Sequence, residues 1–269
     1  MTRRRLDTEL MRRDLASTPR RARELIQAGQ VLVGGAVASK PARMVAPSDP
    51  VVVTASRRKF VSRGGDKLDA ALTNFRVDPR GKRVVDVGAS TGGFSDCVMQ
   101  RGAREVAAID VGYGQLDQQI RNDPRMNVFE RTNVRYVKLS EIGGPGDLVV
   151  ADLSFISLRT VLPRLAALCG DNGDLLMLVK PQFEAGRVEA ARVQGIIRNP
   201  DVWLRVLEEI SECVSETCLG VAGLMISPLR GVGGNTEFFM HSQAGAGDAI
   251  QVTDAINKVV DEAKGEAMS

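Results

Sequence analysis

The sequence contains few of the residues that bind metals or form disulfides. Its 269 residues include one histidine and four cysteines, and no two cysteines form a Cys-x-x-Cys pair. One histidine cannot build a typical metal site, so we expect no bound metal and a structural or surface role for His241. The cysteines are expected to be reduced, buried thiols of a cytoplasmic protein. They are Cys97, Cys169, Cys213 and Cys218.

Long hydrophobic runs are also missing. No stretch of roughly 18 uncharged apolar residues occurs, which excludes a transmembrane helix. The N-terminal residues are basic but include no apolar core, unlike a secretory signal peptide. With 43% hydrophobic and 26% charged residues, the chain has the composition of an ordinary globular protein. We therefore expect no membrane partner, and the length allows one large core and a small second domain.

Positive charge is concentrated near the N-terminus. The net charge is +3, but residues 1–64 carry 14 Lys or Arg and 5 Asp or Glu, which leaves −6 for the remainder. A basic module joined to a near-neutral one predicts a polyanionic partner, and nucleic acid is favoured. A solvated surface without a partner is the alternative. The residues expected to contact RNA are Arg4, Arg20, Arg21, Arg23, Arg57, Arg58, Lys59 and Arg63.

The basic segment begins with the pattern of two short helices. Leu6, Leu10 and Leu15 form an apolar stripe that predicts the first helix. Thr18 followed by Pro19 is a typical helix start, because threonine caps free backbone amides and proline fits the first turn. The two helices are therefore expected to be separated by only a few residues.

Two short strands are predicted after these helices. Val31–Val33 and Val51–Val53 are expected to pair around a glycine turn at residues 34–35. The run Arg-Arg-Ala-Arg-Glu-Leu-Ile-Gln-Ala-Gly-Gln-Val-Leu-Val resembles the αL RNA-binding motif of a small-subunit ribosomal protein, tyrosyl-tRNA synthetases and pseudouridine synthases. The resemblance implies an RNA-binding domain over residues 1–56, and a basic linker is expected over residues 57–64.

A glycine-rich turn follows the first predicted strand of the remaining chain. The valines within residues 84–87 suit a strand that is buried on both faces. Gly88, Gly92 and Gly93 allow a tight turn and the close approach of a ligand to the N-terminus of the next helix. Two classes of cofactor use such a turn, dinucleotides and S-adenosylmethionine. A turn without any ligand is the alternative.

The residues around this turn favour S-adenosylmethionine. The dinucleotide fingerprint needs glycine at its first, third and sixth positions, but the third position here is Ser90. Asp86 would repel phosphates, whereas it suits the cationic methionine end of S-adenosylmethionine. Asp110 ends the next apolar run, where a carboxylate would hold ribose hydroxyls.

Predicted strands and helices alternate along the rest of the chain, which indicates a parallel sheet with helices on both faces. The strands are predicted near residues 83–87, 105–110, 126–130, 147–151, 174–179, 221–226 and 236–241. The helices are predicted near residues 66–75, 92–101, 115–122, 158–169, 201–218 and 248–264. No helix separates the last two strands, so the final strand is expected to pair antiparallel. The expected fold is α/β, a Rossmann-like seven-stranded methyltransferase sheet over residues 65–269, with a small α+β RNA-binding domain at the N-terminus.

Charged residues end two of these strands. Asp152 and Lys180 each follow a buried apolar run, and ligands of open α/β sheets bind beyond the carboxyl ends of parallel strands. Charges at such positions are costly unless they are paired, so a functional role is a reasonable interpretation. A capped or salt-bridged residue is the alternative for each.

Six motifs together identify a family. They are Ser-Arg-Gly-Gly-x-Lys-Leu, Asp-x-Gly-Ala-Ser-Thr-Gly-Gly-Phe, Asp-Val-Gly-Tyr-Gly-Gln-Leu, Glu-Arg-Thr-Asn, Asp-Leu-Ser-Phe-Ile-Ser and Val-Lys-Pro-Gln-Phe-Glu. Nearly the whole chain resembles the TlyA/hemolysin A family of ribosomal RNA 2′-O-methyltransferases, whose catalytic domain is FtsJ-like. The resemblance implies a catalytic tetrad of Lys67, Asp152, Lys180 and Glu237. It also implies cofactor binding by Asp86, Gly88, Ser90, Thr91, Gly92, Gly93, Phe94, Asp110 and Asn133.

The resemblance also implies a substrate, and the sequence departs from the family pattern in one loop. It implies cytidine 2′-hydroxyls in large-subunit ribosomal RNA and, for longer members, in small-subunit RNA. The basic N-terminal residues and the predicted C-terminal helix favour a member that methylates the RNA of both subunits. The resemblance also implies sensitivity to cyclic peptides such as capreomycin. Family members usually have a glycine-rich loop after Gln-Phe-Glu, whereas residues 185–197 contain few glycines. How this loop closes over a substrate therefore stays open.

The tetrad suits 2′-O-methylation on chemical grounds. A ribose 2′-hydroxyl is a poor acid, so a base must take its proton or a neighbouring group must steer it during attack on the methyl group. Lys180 could act as base only when neutral, a form that burial and a nearby Lys67 favour and Asp152 disfavours. Glu237 could position Lys67 or the ribose. Base methylation is less favoured, because Leu-Ser-Phe follows Asp152 where an adenine N-methyltransferase has Pro-Pro-Tyr or Pro-Pro-Phe.

Two further hypotheses compete with a methyltransferase. One is an RNA-binding ribosome-assembly factor with vestigial methylation, which would bind RNA but not S-adenosylmethionine. The other, suggested by the family's historical name, is a membrane-active haemolysin. The sequence argues against the latter, because no spanning segment or long basic amphipathic helix is predicted outside the folded domains.

Overall fold

The computed structural model describes residues 3–16, 18–54, 59–245 and 247–268. The chain divides into two compact units, with the boundary between Arg58 and Lys59. The second unit begins earlier than the sequence suggested. Phe60 is 2% exposed within its core, and its ring lies where a Cβ on Gly65 would stand. A helix starts at Arg63. Residues 59–64 are therefore packed onto the second unit, while the linker residues Arg57 and Arg58 lie outside the described residues.

The N-terminal unit is a small α+β module with its own core. Its elements are β1 (Arg4–Arg5), α1 (Leu6–Arg12), α2 (Pro19–Gln27), β2 (Val31–Val33), β3 (Ala36–Val37), β4 (Met44–Val45) and β5 (Val51–Val53). Leu6, Leu10 and Ile26 are fully buried between the helices and the strands. The Thr18 hydroxyl accepts a hydrogen bond from the Arg21 amide (3.1 Å), as a capping threonine should.

Two details of this unit differ from the sequence prediction. Helix α1 ends at Arg12 and does not include Leu15, because Asp14 adopts a left-handed backbone conformation (φ 54°). The glycine turn at residues 34–35 joins β2 to β3, which the sequence analysis missed. Strand β5 instead pairs with the other edge of β2. The predicted strands are both present, but the turn connects a different pair.

The second unit is built on a seven-stranded sheet, as predicted. Its strands are β6 (Arg83–Val87), β7 (Glu105–Ile109), β8 (Met126–Phe129), β9 (Gly146–Ala151), β10 (Cys169–Val179), β11 (Leu219–Ile226) and β12 (Phe238–Ala244). They are arranged in the order β11-β12-β10-β9-β6-β7-β8. Strand β12 is antiparallel to both of its neighbours, and all other pairs are parallel. The expected antiparallel pairing of the final strand is confirmed.

Helices cover both faces of this sheet. They are α3 (Arg63–Asn74), α4 (Gly93–Gln100), α5 (Gln118–Arg121), α6 (Leu158–Leu168), α7 (Pro181–Glu184), α8 (Arg187–Arg192), α9 (Pro200–Ser215) and α10 (Val252–Met268). Successive strand residues point to opposite faces, so Val84 and Phe239 belong to one core cluster. Val85 and Phe238 belong to the other, together with Trp203 of α9.

Several elements depart from the predicted bounds. Helix α5 is short because the Asp117 side chain caps it at Gln119, while Leu116 before it packs against Gly92. Strand β10 begins at Cys169, directly after α6, through an irregular pairing with β9. Helices α7 and α8 were not predicted.

The histidine and the cysteines lie away from the carboxyl ends of the central strands. His241 is buried, with Nε2 2.9 Å from Asp174 Oδ1 and its ring 5.4 Å from that of Phe75. Cys97 is buried, but Cys218 is exposed, because it lies in the turn after α9. The expectation that all four thiols are buried holds for Cys97 only, because Cys169 and Cys213 are partly exposed and Cys218 is exposed. All four are free thiols.

Candidate active site

The strand order brings the four tetrad residues to one edge of the sheet. Asp152 directly follows β9 and Lys180 directly follows β10, and these strands are parallel neighbours. Glu237 precedes β12, which runs antiparallel to β10, and Val179 pairs with Phe238. The carboxyl end of β10 therefore lies beside the start of β12. Lys67 comes from the second turn of α3.

The tetrad forms two buried ion pairs. Lys67 Nζ lies 2.5 Å from Glu237 Oε2, and Lys180 Nζ lies 2.5 Å from Asp152 Oδ1. The side chains of Lys67, Lys180 and Glu237 are at most 11% exposed, and that of Asp152 is 25% exposed. Such burial is tolerated because each ammonium has a carboxylate partner. The contact of Asp152 with Lys180 was expected from the sequence, whereas Glu237 was expected to contact either Lys67 or the ribose; in the structure it contacts Lys67.

Two neutral side chains that the sequence analysis did not single out join these pairs. The Lys180 ammonium donates a hydrogen bond to Ser154 Oγ (3.1 Å). Gln182 Nε2 donates to Glu237 Oε1 (3.5 Å), so the segment that carries Lys180 also contacts the second pair. Both residues lie within the quoted motifs, and their polar side chains next to charged positions were the available signal.

The glycine turn after β6 is shaped by the protein's own packing. Gly88 has φ +87°, and a Cβ there would stand 2.5 Å from the Asp152 carbonyl oxygen. A Cβ on Gly93 would stand 2.1 Å from Ser62 Oγ. These glycines were predicted to allow the approach of a ligand, whereas in the structure Gly88 also permits the close approach of the chain that carries Asp152, and Gly93 that of Ser62.

A methyl group at Gly88 should therefore destabilise the protein. We expect Gly88→Ala to lower the free energy of unfolding by about 1–3 kcal/mol or more, because left-handed strain and a clash with backbone add together. Thermal unfolding measures the effect. Gly81→Ala is the matched control, since Gly81 also has positive φ (+71°) but has open space around its Cβ position. Equal losses in the two variants would contradict the proposed close approach to Asp152.

Asp110 fixes the glycine turn from the next strand. Its carboxylate accepts hydrogen bonds from the backbone amides of Ser90 (2.7 Å) and Gly112 (2.6 Å). Ser90 itself has a left-handed conformation (φ 49°). A small pocket lies beside these residues. It is lined by Ala89, Ser90, Ala108, Asp110, Gly112, Gln115, Leu116, Val128 and Glu130.

Three residues expected at the cofactor site have other surroundings. Phe94 is buried in the core, where its ring stacks on Phe239 at 6.2 Å. Asn133 Oδ1 accepts from the Arg135 amide (3.1 Å) and caps a short helical turn. Thr91 is exposed, and its carbonyl accepts from the amide of Asp117. None of the three lines the pocket beside Asp110.

Asp86 is a fully buried carboxylate at the foot of the turn. Its Oδ2 accepts a hydrogen bond from Ser95 Oγ (2.6 Å), and its Oδ1 has no hydrogen-bond partner among the described residues. Burial raises the pKa of Asp86 to about 7 against the Ser95 hydrogen bond, and the negative charges of Asp152 and Asp110 add to the rise. The unsatisfied oxygen suits a cationic ligand group.

The arginines expected to contact RNA are mostly accessible. The side chains of Arg4, Arg20 and Arg23 are 47%, 90% and 60% exposed, whereas that of Arg21 is 22% exposed. Arg20 forms an exposed ion pair with Glu24, and such pairs are weak. Arg4 and Arg23 lie 3.9 Å from the buried carboxylates of Glu9 and Asp7, and their own exposed guanidinium groups remain accessible. Lys59 and Arg63 belong to the second unit, where they contact Asp69 and the Arg230 carbonyl.

The sequence analysis missed two exposed aromatic side chains. Phe155 is 91% exposed, has φ 64°, and lies within the segment between Asp152 and α6. Its ring contacts that of Phe183 at 5.2 Å. Tyr113 is 67% exposed beneath the guanidinium of Arg131, at 4.2 Å. Large exposed rings suit stacking on nucleobases. The aromatic residue within Asp-Leu-Ser-Phe was the available signal for Phe155.

The second unit has a mixed seven-stranded sheet with a glycine turn after strand β6. Polar residues lie at the adjoining carboxyl edge of the sheet. Together these features define a Rossmann-like methyltransferase. The family model for FtsJ-like methyltransferases matches residues 60–244, and the model for S4 domains matches residues 4–51. The chain belongs to the FtsJ-like methyltransferase family and, within it, to the TlyA proteins.

Individual relatives support this assignment over most of the chain. The 16S/23S rRNA (cytidine-2′-O)-methyltransferase TlyA of Mycobacterium tuberculosis is 44% identical over 96% of this chain and 97% of its own. Hemolysin A of Brachyspira hyodysenteriae is 32% identical over 88% of this chain and 98% of its own. A solved structure from Streptococcus thermophilus, described as a candidate hemolysin, is 35% identical with a TM-score of 0.78. It covers 100% of this chain and 98% of its own.

Across the described residues, no helix combines the length and the apolarity that crossing a bilayer requires.

Proposed function

We propose that the protein transfers a methyl group from S-adenosylmethionine to the 2′-hydroxyl of cytidines in ribosomal RNA. The observation that carries the proposal is the pair of buried lysine–carboxylate contacts beside the glycine turn. The similarity to the M. tuberculosis relative, which is named for both 16S and 23S RNA, supports large-subunit and small-subunit substrates.

The chain offers suitable groups for each part of the cofactor. Asp86 Oδ1, which has no hydrogen-bond partner within the described part of the chain, suits the positive charge of the methionine end. The pocket beside Asp110 suits the nucleoside end, with the Asp110 carboxylate at its rim. S-adenosylmethionine supplies an electrophilic methyl group bonded to a sulfonium.

The tetrad would prepare the ribose hydroxyl for attack. As a neutral amine Lys180 would take the hydroxyl proton, and as an ammonium it would only steer the hydroxyl; in either form Asp152 holds its Nζ in place from 2.5 Å. Lys67 and Glu237 form the second pair next to it and would hold the ribose in line with the methyl group. Much of the rate enhancement would come from this alignment.

Substrate RNA would be held at two places. Phe155, which is almost fully exposed beside the tetrad, would stack on the base of the target nucleotide. The arginines of the N-terminal unit would contact phosphates and add affinity that depends on salt.

A calorimetric titration with S-adenosylmethionine tests the proposal against an RNA-binding assembly factor. We expect saturable one-site binding, and the product S-adenosylhomocysteine should compete for the same site. Binding of ribosomal subunits without any binding of S-adenosylmethionine would contradict the proposal and favour the assembly factor.

Removal of exposed arginines should weaken RNA binding without changing the chemistry. We expect the double variant Arg20→Ala, Arg23→Ala to bind ribosomal subunits less tightly and to lower the slope of log affinity against log salt by about 1 for each lost phosphate contact. Filter binding at several salt concentrations measures this slope. Lys258→Ala is the control, because Lys258 is 78% exposed on α10 of the other unit. An unchanged slope in the arginine variant would remove these residues from the interface.

A further inference from the structure

Glu184 is a buried carboxylate for which the proposed chemistry has no direct use. It is 3% exposed at the end of α7, four residues after Lys180. Its Oε2 accepts a hydrogen bond from Ser157 Oγ (2.5 Å), and its Oε1 accepts from the Leu158 amide (2.7 Å). Both donors lie at the start of α6, where free amides and the helix dipole favour a negative charge.

These contacts join the two segments that carry the Lys180–Asp152 pair. Strands β9 and β10 already hold the segments together at one end, where Ala151 pairs with Met177. Beyond the strands, the chain runs from Asp152 to α6 and from Lys180 through α7. Glu184 connects the far ends of these two segments and so closes a loop around the ion pair.

Arg159 strengthens the same connection. Its guanidinium donates to the Glu184 backbone carbonyl (2.7 Å) and lies 3.7 Å from the Glu184 carboxylate. It also pairs with Glu209 of α9. The carboxylate is thus compensated by two hydrogen bonds and a cation, although burial still raises the pKa of Glu184.

We infer that Glu184 is a positioning residue that fixes Lys180 Nζ against Asp152 by holding α7 onto the N-terminus of α6. The effect of Glu184 on catalysis rests on the proposed function. Its effect on the position of Lys180 does not, because the ion pair between Lys180 and Asp152 exists independently of the reaction. Without the Glu184 side chain, α7 loses its two hydrogen bonds to the start of α6 and keeps the one from Arg159 to the backbone carbonyl, so the ammonium samples a wider range of positions.

Kinetics separate positioning from general destabilisation. We expect Glu184→Ala to lower kcat by about 10–100-fold, because a displacement near 1 Å can cost about that much. KM for ribosomal subunits and the Kd for S-adenosylmethionine should stay within about twofold. Glu184→Gln should recover most of kcat, since its amide can accept from the Leu158 amide and donate to Ser157 Oγ. The control is Glu209→Ala, which removes the other partner of Arg159 but leaves the α6 contact intact.

Chemical labelling of lysines provides a readout that does not depend on methylation. Acylation by an N-hydroxysuccinimide ester, followed by peptide mass spectrometry, should modify Lys180 faster in Glu184→Ala than in the unchanged protein. Lys82 serves as the internal reference, because its partner Asp174 lies toward the opposite end of the strands, away from α7.

The two readouts distinguish failure of this inference from failure of the proposed function. Unchanged labelling of Lys180 together with unchanged kcat would overturn the inference. A fall in kcat that Glu209→Ala reproduces at equal thermal stability would overturn it as well. Faster labelling of Lys180 in a protein that never methylates ribosomal RNA would support the positioning role and contradict the proposed function.

Discussion

Replacement of Lys180 by alanine should lower the rate of methyl transfer by about 10²–10⁴-fold, the range typical for loss of a group that handles a proton. In the structure, the Lys180 ammonium lies 2.5 Å from Asp152 and 3.1 Å from Ser154 Oγ at the carboxyl edge of the sheet. No other amine contacts these two groups among the described residues. Incorporation of labelled methyl groups into ribosomal subunits measures the effect, and the Kd for S-adenosylmethionine should change little.

The loss of a buried ion pair could by itself weaken the fold. Lys82→Ala is the matched control, because Lys82 Nζ lies 2.8 Å from Asp174 at the opposite end of the same strands. Both variants leave a buried aspartate without its lysine and should lose stability. Only Lys180→Ala should lose activity, measured well below its melting temperature. Full activity in Lys180→Ala would exclude the assigned role.

Asp86→Asn should stabilise the cofactor-free protein and weaken cofactor binding. Asp86 has a pKa near 7 in the fold against an ordinary value of 3.8, because it is fully buried. A raised pKa means that the folded protein is most stable below pH 3.8 with respect to this group and loses stability as the pH rises to about 7. Each pKa unit corresponds to about 1.4 kcal/mol, which limits the penalty to about 4 kcal/mol. Asparagine removes the penalty and can still accept from Ser95.

Thermal unfolding between pH 5 and pH 8 measures this effect. At pH 8 we expect the variant to melt several degrees higher, at about 2–4 °C for each kcal/mol. Asp174→Asn is the control, and its melting temperature should change in the opposite direction. Burial alone would raise the pKa of Asp174, but hydrogen bonds from His241 and Lys82 lower it, so its charge is stabilising and its loss should lower the melting temperature. A lower melting temperature for Asp86→Asn at pH 8 would contradict the claim that the buried Asp86 carboxylate destabilises the fold when it is ionised.

The same variant should bind S-adenosylmethionine about 10–100-fold more weakly, the usual cost of losing a charged contact. In the unchanged protein, affinity should rise as the pH increases through about 7, because the ionised form of Asp86 is the one that suits a cation. Equal affinity in both proteins at pH 8 would remove Asp86 from the cofactor site.

The sequence predicted the sheet well because its strands are strongly apolar and bounded by glycine or charge. Strand β6 and the helix after it were found within one or two residues. Short elements were missed: α7 and α8 carry few apolar residues. The hairpin partner of β2 was also misassigned, because β3 has only two residues, too few to show a strand pattern.

For the site, the sequence predicted which residues meet and part of how they pair. Asp152 and Lys180 were expected together because parallel strands end at one edge. The antiparallel direction of the last strand was also expected, but whether Glu237 contacts Lys67 or the ribose stayed open, and the structure pairs it with Lys67. Neither Glu184 nor Phe155 was singled out from the sequence. The burial of Glu184 and the exposure of Phe155 are determined only when α6 and α7 come together in the fold.

Nucleotide-resolution mapping of 2′-O-methyl groups tests the central claim most directly. Isolated large and small ribosomal subunits that lack the modification would be incubated with the protein and S-adenosylmethionine, with Lys180→Ala as the negative control. The account predicts new 2′-O-methyl groups on cytidines in the RNA of both subunits. Methylation of a base atom, or no new methyl group despite binding of both cofactor and subunits, would contradict it.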